Sequence, residues 1–374
     1  MRRFKKSMRS TTGKGFLLLC LFALNAATAQ VTGGRAALEF LRLANSPHIS
    51  ALGGFSVAMP TNDIAFAIQN PSLMRPGLHN QLGLNYNRYY ADINIMNLAY
   101  GYHSEKLNTS FVLGVQYLDY GKMTVTDAIG NTYGDFTPVD YTVSLGASRQ
   151  YKEHWRYGAA LKFAGSSMFD KSAMALVADV GVNYYDTTSL IDIGIVAKNM
   201  GVMLKKYNTG ISEPLPFDLQ IGISKRFQHI PLRLFTTIHH LYEWDIRYDD
   251  PAMQQTSTLI GADSNTKEKS YFTDKLFRHF IFGTELTIAK RITLTVAYNH
   301  LRRGELALQD KKGASGFSFG AGIDLNKFQV HYARSYYHVA GAYNEFGLNM
   351  ALNRLFGLGD FGDKVNWSKQ YPNW

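Results

Sequence analysis

From Gln81 almost to its end, the chain is a series of long segments in which apolar and polar residues alternate. TSFVLGVQYLDY puts Phe111, Leu113, Val115 and Tyr117 on one face and Val112, Gly114, Gln116 and Leu118 on the other. DYTVSLGASRQ sets Tyr141, Val143, Leu145 and Ala147 against Thr142, Ser144, Gly146 and Ser148. HWRYGAALKFAG sets Trp155, Tyr157, Ala159, Leu161 and Phe163 against Arg156, Gly158 and Lys162. A period of two is that of a strand, not a helix. The segments number about fourteen and run about ten residues, where ordinary globular strands run about five or six. A tilted strand that crosses a bilayer needs about nine to eleven. Length therefore favours a membrane barrel over a soluble sandwich, since both alternate.

The connections alternate too. Short ones (SEKLN, YKE, DTTS, QHI, AK and the single Asn326) separate longer ones. The longer ones lie around GKMTVTDAIGNTYGDFTPV, GSSMFDK, GVMLKKYNTGISEPL, Glu243 to Asp274, and RRGELALQDKKGAS. Two outer links, at Ala91-Asp92 and Val339 to Ala342, are short and break the pattern. Bacterial outer-membrane barrels have short periplasmic turns and longer outer loops. An even strand count then puts both barrel ends on the periplasmic side. Charge agrees with this. A cation facing lipid at mid-membrane costs about 2–4 kcal/mol. The apolar faces carry only Arg88, Arg334 and Lys225, all near strand ends. The other face collects Arg156, Lys162, Asp179, Asp192, Lys198, Asp218, Arg233, Glu285 and Asp324, which reads as a polar lumen. In a soluble β-protein that face would meet bulk water instead.

The formal charge of +10 suggests a nucleic-acid partner, but much of it is local. Arg2, Arg3, Lys5, Lys6, Arg9 and Lys14 precede FLLLCLFAL and ATAQ, the layout of a secretory signal peptide over residues 1–29. Its removal leaves 33 cations against 29 anions, a net +4, with no basic stripe. No nucleic acid is expected. The one cysteine, Cys20, leaves with the leader, so barrel closure has to supply the stability that disulfides would.

Residues 30–80 do not alternate. Glycine pairs stand at Gly33-Gly34 and Gly53-Gly54, and Thr61-Asn62-Asp63 can cap a short helix. Pro71 disfavours a helical Asn70, so that helix should stop near Gln69. A partly apolar segment at a periplasmic terminus buries itself best inside the lumen. The expected architecture is all-β: an antiparallel transmembrane barrel over 81–356 of about fourteen strands. It has an N-terminal plug with a helix over 30–80 and a tail over 357–374. A periplasmic linker is the alternative for 30–80.

The run ALGGFSVAMPTNDIAFAIQNPSLM resembles the opening of FadL-like outer-membrane barrels, with Gly53, Gly54, Asn70 and Pro71 as the plug motif. Ser72 departs from the alanine of that motif. GGRAALEFLRLANSPHISALGG, YNRYYADINIMNLAYGY and HYARSYYHVAGAYNEFGLNM are most similar to the PorQ-type barrels of the type IX secretion system. That resemblance spans nearly the whole mature chain. It implies an outer-membrane, non-enzymatic component of a cell-surface attachment complex. Such a barrel anchors a PorZ-like surface protein beside PorU and PorV, where cargo is attached to anionic lipopolysaccharide. No cofactor is expected. The alternatives are a FadL-like transporter of long-chain fatty acids or other hydrophobic molecules, and a PorV-like cargo shuttle.

No nucleophile elbow, phosphate loop or metal-spaced set is present. His239-His240, adjacent in an expected strand, should point to opposite faces and so share no ligand. DIRYDD lacks the spacing and glycine of a calcium loop. Arg302-Arg303 and Lys311-Lys312 flank an outer loop and suit either lipopolysaccharide or plain solvent. In the loop from Glu243 to Asp274, Trp244, Tyr248, Tyr271 and Phe272 are the candidate docking residues, as aromatic anchors at interfaces often are. Tyr242 and Trp244 also suit a membrane girdle.

Overall fold

The structure is a computed structural model that describes residues 36–208, 213–246, 272–306, 313–325, 327–338 and 341–356. Its strands are β1 (Gln81–Arg88), β2 (Asn94–Ser104), β3 (Thr109–Asp119), β4 (Met123–Thr126), β5 (Thr132–Phe136), β6 (Val139–Tyr151), β7 (Trp155–Met168) and β8 (Lys171–Asp186). They continue as β9 (Ile191–Lys205), β10 (Asp218–Arg226), β11 (Leu232–Ile238), β12 (Phe280–Ile288), β13 (Ile292–Asn299), β14 (Phe317–Asp324), β15 (Phe328–His338) and β16 (Gly341–Ala351). Fourteen of them close an antiparallel barrel in which β1 pairs with β16, while β4 and β5 form a separate hairpin. Closure leaves no strand edge in hydrocarbon, where each unpaired backbone group costs several kcal/mol.

The alternation resolves into two surfaces. Leu294 is 42% exposed and its neighbour Thr295 is 3% exposed, as an outward and an inward residue should be. Exposed aromatics form two bands, with Tyr86, Tyr117, Phe282 and Phe319 near the outer strand ends and Tyr102, Tyr151, Trp155 and Tyr157 near the inner ends. Such girdles mark the membrane interfaces of barrels. The chain is an outer-membrane barrel.

The wall is uneven in height. β6 to β9 run 13 to 16 residues, whereas β10 to β14 run 7 to 9. One expected outer loop is almost wholly strand, and another begins as strand. GSSMFDK shrinks to a turn at Phe169-Asp170, and β9 continues through GVMLK. Expected loop GKMTVTDAIGNTYGDFTPV contains the β4–β5 hairpin.

Residues 37–80 fill the lumen. The helix Phe66–Gln69 stops where Asn70 turns extended (φ −138°), the boundary expected from Pro71. Asp63 Oδ1 accepts from the Ala65 amide (3.0 Å). A second helix, Pro47–Ala51, was not anticipated, although Ser46 followed by Pro47 is a readable start. The direction of travel differs from the expectation of a segment entering from the periplasm. The Ala37 amide bonds Pro214 O at 2.9 Å, in the outer loop after β9. The plug therefore descends from the outer mouth to Gln81. Ala37, Leu38, Phe40 and Leu41 pack there with Ile95, Leu118 and Val177.

Candidate functional site

The lumen accepts the plug through glycines on its inner face. Gly158 and Gly181 face each other on β7 and β8. A Cβ on Gly158 would fall 2.5 Å from Pro71 C, and one on Gly181 would fall 2.0 Å from Asn70 Oδ1. The Asn70-Pro71 turn thus presses into a slot that only hydrogen side chains leave open. Asn70 is itself fixed. Its Nδ2 donates to Val57 O (2.8 Å), and its Oδ1 accepts from the Ser72 amide (3.1 Å) and Ser72 Oγ (2.6 Å). The pair Gly194 and Gly222 on β9 and β10 receives Val57 and Ala58 in the same way. Of the opening glycines, Gly53 (φ 89°) and Gly54 (φ 95°) adopt left-handed backbone, and Gly54 lies under the Arg302 guanidinium.

Ion pairs and hydrogen bonds tie plug to wall. Glu285 on β12 accepts from Arg233 (3.1 Å) and bonds His48 Nε2 of the plug (2.9 Å). His48 stacks on His331 of β15 at 4.9 Å. Ser50 Oγ donates to Glu345 Oε1 (2.6 Å), which also accepts from Asn87 (3.0 Å). Lys162 pairs with Asp179 (2.5 Å), and Lys198 donates to Gln69 Oε1 of the plug. Arg156 reaches Met74 O (3.5 Å) and Gln150 (3.2 Å). Asp192 accepts from Asn183 (2.7 Å), and Asp218 from the His240 amide (2.7 Å). All of these charged wall residues are buried, whereas Asp324 is only half-buried near the inner rim.

At the outer rim, Trp244 and Phe272 are exposed and their rings lie 5.5 Å apart. Trp244 also stacks on His279 (5.8 Å). Tyr248, Tyr271, Lys311 and Lys312 lie outside the described residues. Asp245 of DIRYDD pairs with Lys275 (2.5 Å). Arg302 does not extend to an outer leaflet. It turns inward onto Phe55 (6.0 Å) and Gly54. The expectation for His239-His240 is overturned. β11 ends at Ile238 and His240 takes a left-handed backbone (φ 55°), so the two Nδ1 atoms meet at 2.6 Å. Burial pushes His240 down to about 4 and His239 well below the ordinary histidine value. The pair is thus neutral, one ring donating to the other. Among the described residues no group of three or more His, Cys, Asp or Glu could hold a metal ion.

The β4–β5 hairpin went unnoticed in the sequence as a surface feature. Asp127 accepts from the Ile129 and Asn131 amides, Asn131 Nδ2 and Tyr133 Oη. Those bonds, that of the Asn131 side chain foremost, hold its carboxyl down at about 2. They fix a tip that presents Ile129 at 89% exposure. A readable signal was DAIGN, a turn-forming run between alternating segments.

No protein-family profile and no curated protein matches the chain. Solved barrels do. The CymD monoaromatic hydrocarbon channel superposes with a TM-score of 0.50 at 12% identity, covering 83% of this chain and 97% of that one. A deletion mutant of the TodX monoaromatic hydrocarbon channel gives 0.47 at 13%, covering 82% and 97%. A Pseudomonas aeruginosa FadL homologue gives 0.39 at 11%, covering 77% and 94%. At such identities the likeness is one of fold, and the CymD superposition carries it. The chain shares the barrel fold of CymD.

Proposed function

We propose that the chain is a non-enzymatic outer-membrane barrel that anchors a PorZ-like protein at the cell surface beside PorU and PorV, as a component of a type IX attachment complex. The observation that supports this is a continuous strand wall around a lumen occupied by the plug. Each barrel strand pairs with both neighbours, and the three register breaks, two in β8–β9 and one in β15–β16, leave those pairs joined. A plug tied to the wall by buried charge fills the interior. A rigid closed cylinder suits holding a partner at its rim. The test is a gentle detergent pull-down of the native protein, with and without much of the loop from Glu243 to Asp274. A large surface protein should come down with the full chain and be lost without the loop, while the barrel stays heat-modifiable. Retention of the surface protein without the loop removes the loop's role. Recovery of a bound lipid in place of any surface protein removes the anchor reading.

A second reading, a carrier of long-chain fatty acids or other hydrophobic molecules, draws on the fold likeness to CymD, which supports it more directly than the first. A groove of about 590 Å³ on the lipid face also favours it, lined by Leu84, Tyr86, Met96, Tyr117 and Phe346 and reaching Asn85 and Gly347. Uptake of a hydrophobic tracer by vesicles holding the pure barrel separates the two readings.

A further inference from the structure

We propose that a single monatomic anion, chloride in most surroundings, binds between plug and wall, held by Lys198, Lys162, Gln116 and Thr142. These four line a cavity of about 20 Å³, together with Asn45 and Ile68 of the plug. One water-sized species needs about 10–15 Å³, so the space takes one small occupant and excludes phosphate or a carboxylate ligand.

The donors decide which occupant it is. An ammonium has three N–H groups to place. Lys198 is 3% exposed, and among the described residues its hydrogen-bond acceptor is one neutral amide oxygen, Gln69 Oε1. Gln116 Nε2 and Thr142 Oγ1, both more than nine-tenths buried, have no partner among the described residues. Buried donors without acceptors cost about 1–3 kcal/mol each, and charged ones cost more. Lys162 spends its donors on Asp179 (2.5 Å) and Asn199 Oδ1 (3.4 Å) but still presents its charge to the cavity.

No carboxylate lines the space. The two nearby ones are committed elsewhere. Asp179 is ion-paired with Lys162 and accepts from the Asn199 amide (2.8 Å), and Asp218 accepts from the His240 amide and Gln220 Nε2 (2.6 Å). A water oxygen has only two lone pairs to offer the converging donors of Lys198, Gln116 and Thr142. A halide accepts from Lys198, Gln116 and Thr142 together, with the Lys162 charge facing it. The ion would also join the plug, through Gln69 on Lys198, to strands β3, β6, β7 and β9.

The test is a crystal of the full barrel grown with bromide as the only halide. The expected result is one anomalous peak within hydrogen-bonding reach of Lys198 Nζ and Gln116 Nε2. Ordinary density there without anomalous signal is a water and overturns the proposal. In Gln116→Leu, which leaves both lysines in place, the peak should weaken. In Lys198→Met it should vanish, along with any rise in melting temperature on exchanging gluconate for bromide at constant ionic strength. If Lys198→Met does not assemble, the wild-type map and Gln116→Leu decide. An undiminished peak in Gln116→Leu overturns the assignment of that donor and the site as drawn.

Discussion

Each wall residue belongs either to lipid or to the lumen, and a one-position shift changes its role. Leu294 faces out and Thr295 faces in. Leu294→Lys should lower barrel stability by up to about 2–4 kcal/mol. Thr295→Lys keeps its charge off the lipid and should assemble better, as measured by heat-modified gel mobility of refolded protein. Equal loss in both removes the assignment of faces. The glycine slots are a second matter at this scale. Gly181→Ala would drive a methyl into Asn70 Oδ1 and should cost about 1–3 kcal/mol in urea unfolding from lipid. Combined with Asn70→Ala, which shortens the opposing side chain, its effect should fall well below the sum of the single changes. The parity of Leu294 and Thr295 could be read from alternation alone. The partnership of Gly181 with Asn70 could not, because it depends on which strand neighbours which.

Among the elements, the β4–β5 hairpin and the plug helix Pro47–Ala51 make opposite demands on charge. At the hairpin tip, Asp127 holds its carboxyl at about 2, below its ordinary value. Stability from this carboxylate is fully present above that ordinary range and is lost as pH falls towards 2. The Ile129 methyl signal in NMR of the barrel in nanodiscs should report this titration. Asn131→Ala should move the midpoint back up; an unmoved midpoint would show that the side-chain bond is not its cause. The plug helix instead depends on a buried charge cluster. Glu285→Gln leaves Arg233 buried without its carboxylate and should cost about 3–5 kcal/mol. The double change Arg233→Met with Glu285→Leu should cost less, as a double-mutant cycle in urea would read. The end of the helix Phe66–Gln69 was legible from Pro71, whereas its N-cap is Ala65 and not the Thr61-Asn62-Asp63 run; neither it nor Pro47–Ala51 is long enough to show a period.

Taken whole, the molecule is a closed cylinder with its own N-terminal segment as filling. Deleting residues 36–78 should leave a barrel that assembles, since the strand ladder is complete without the plug. Its lumen charges would then face water, and single-channel conductance in planar bilayers should rise from near baseline to that of an open pore. Closed conductance after the deletion would mean that the wall side chains alone seal the lumen.

Alternation, segment length and loop rhythm by themselves determined the barrel, its strand number and the two faces of its wall. Each follows from local geometry: side chains alternate along any strand, and a bilayer has one thickness. Tertiary structure alone decided the rest. It threads the plug from the outer mouth inward, makes slots of the paired glycines, turns Arg302 onto the plug, and brings His239 against His240. These depend on contacts between residues far apart in the chain or on one left-handed backbone angle, and neither leaves a period in the sequence.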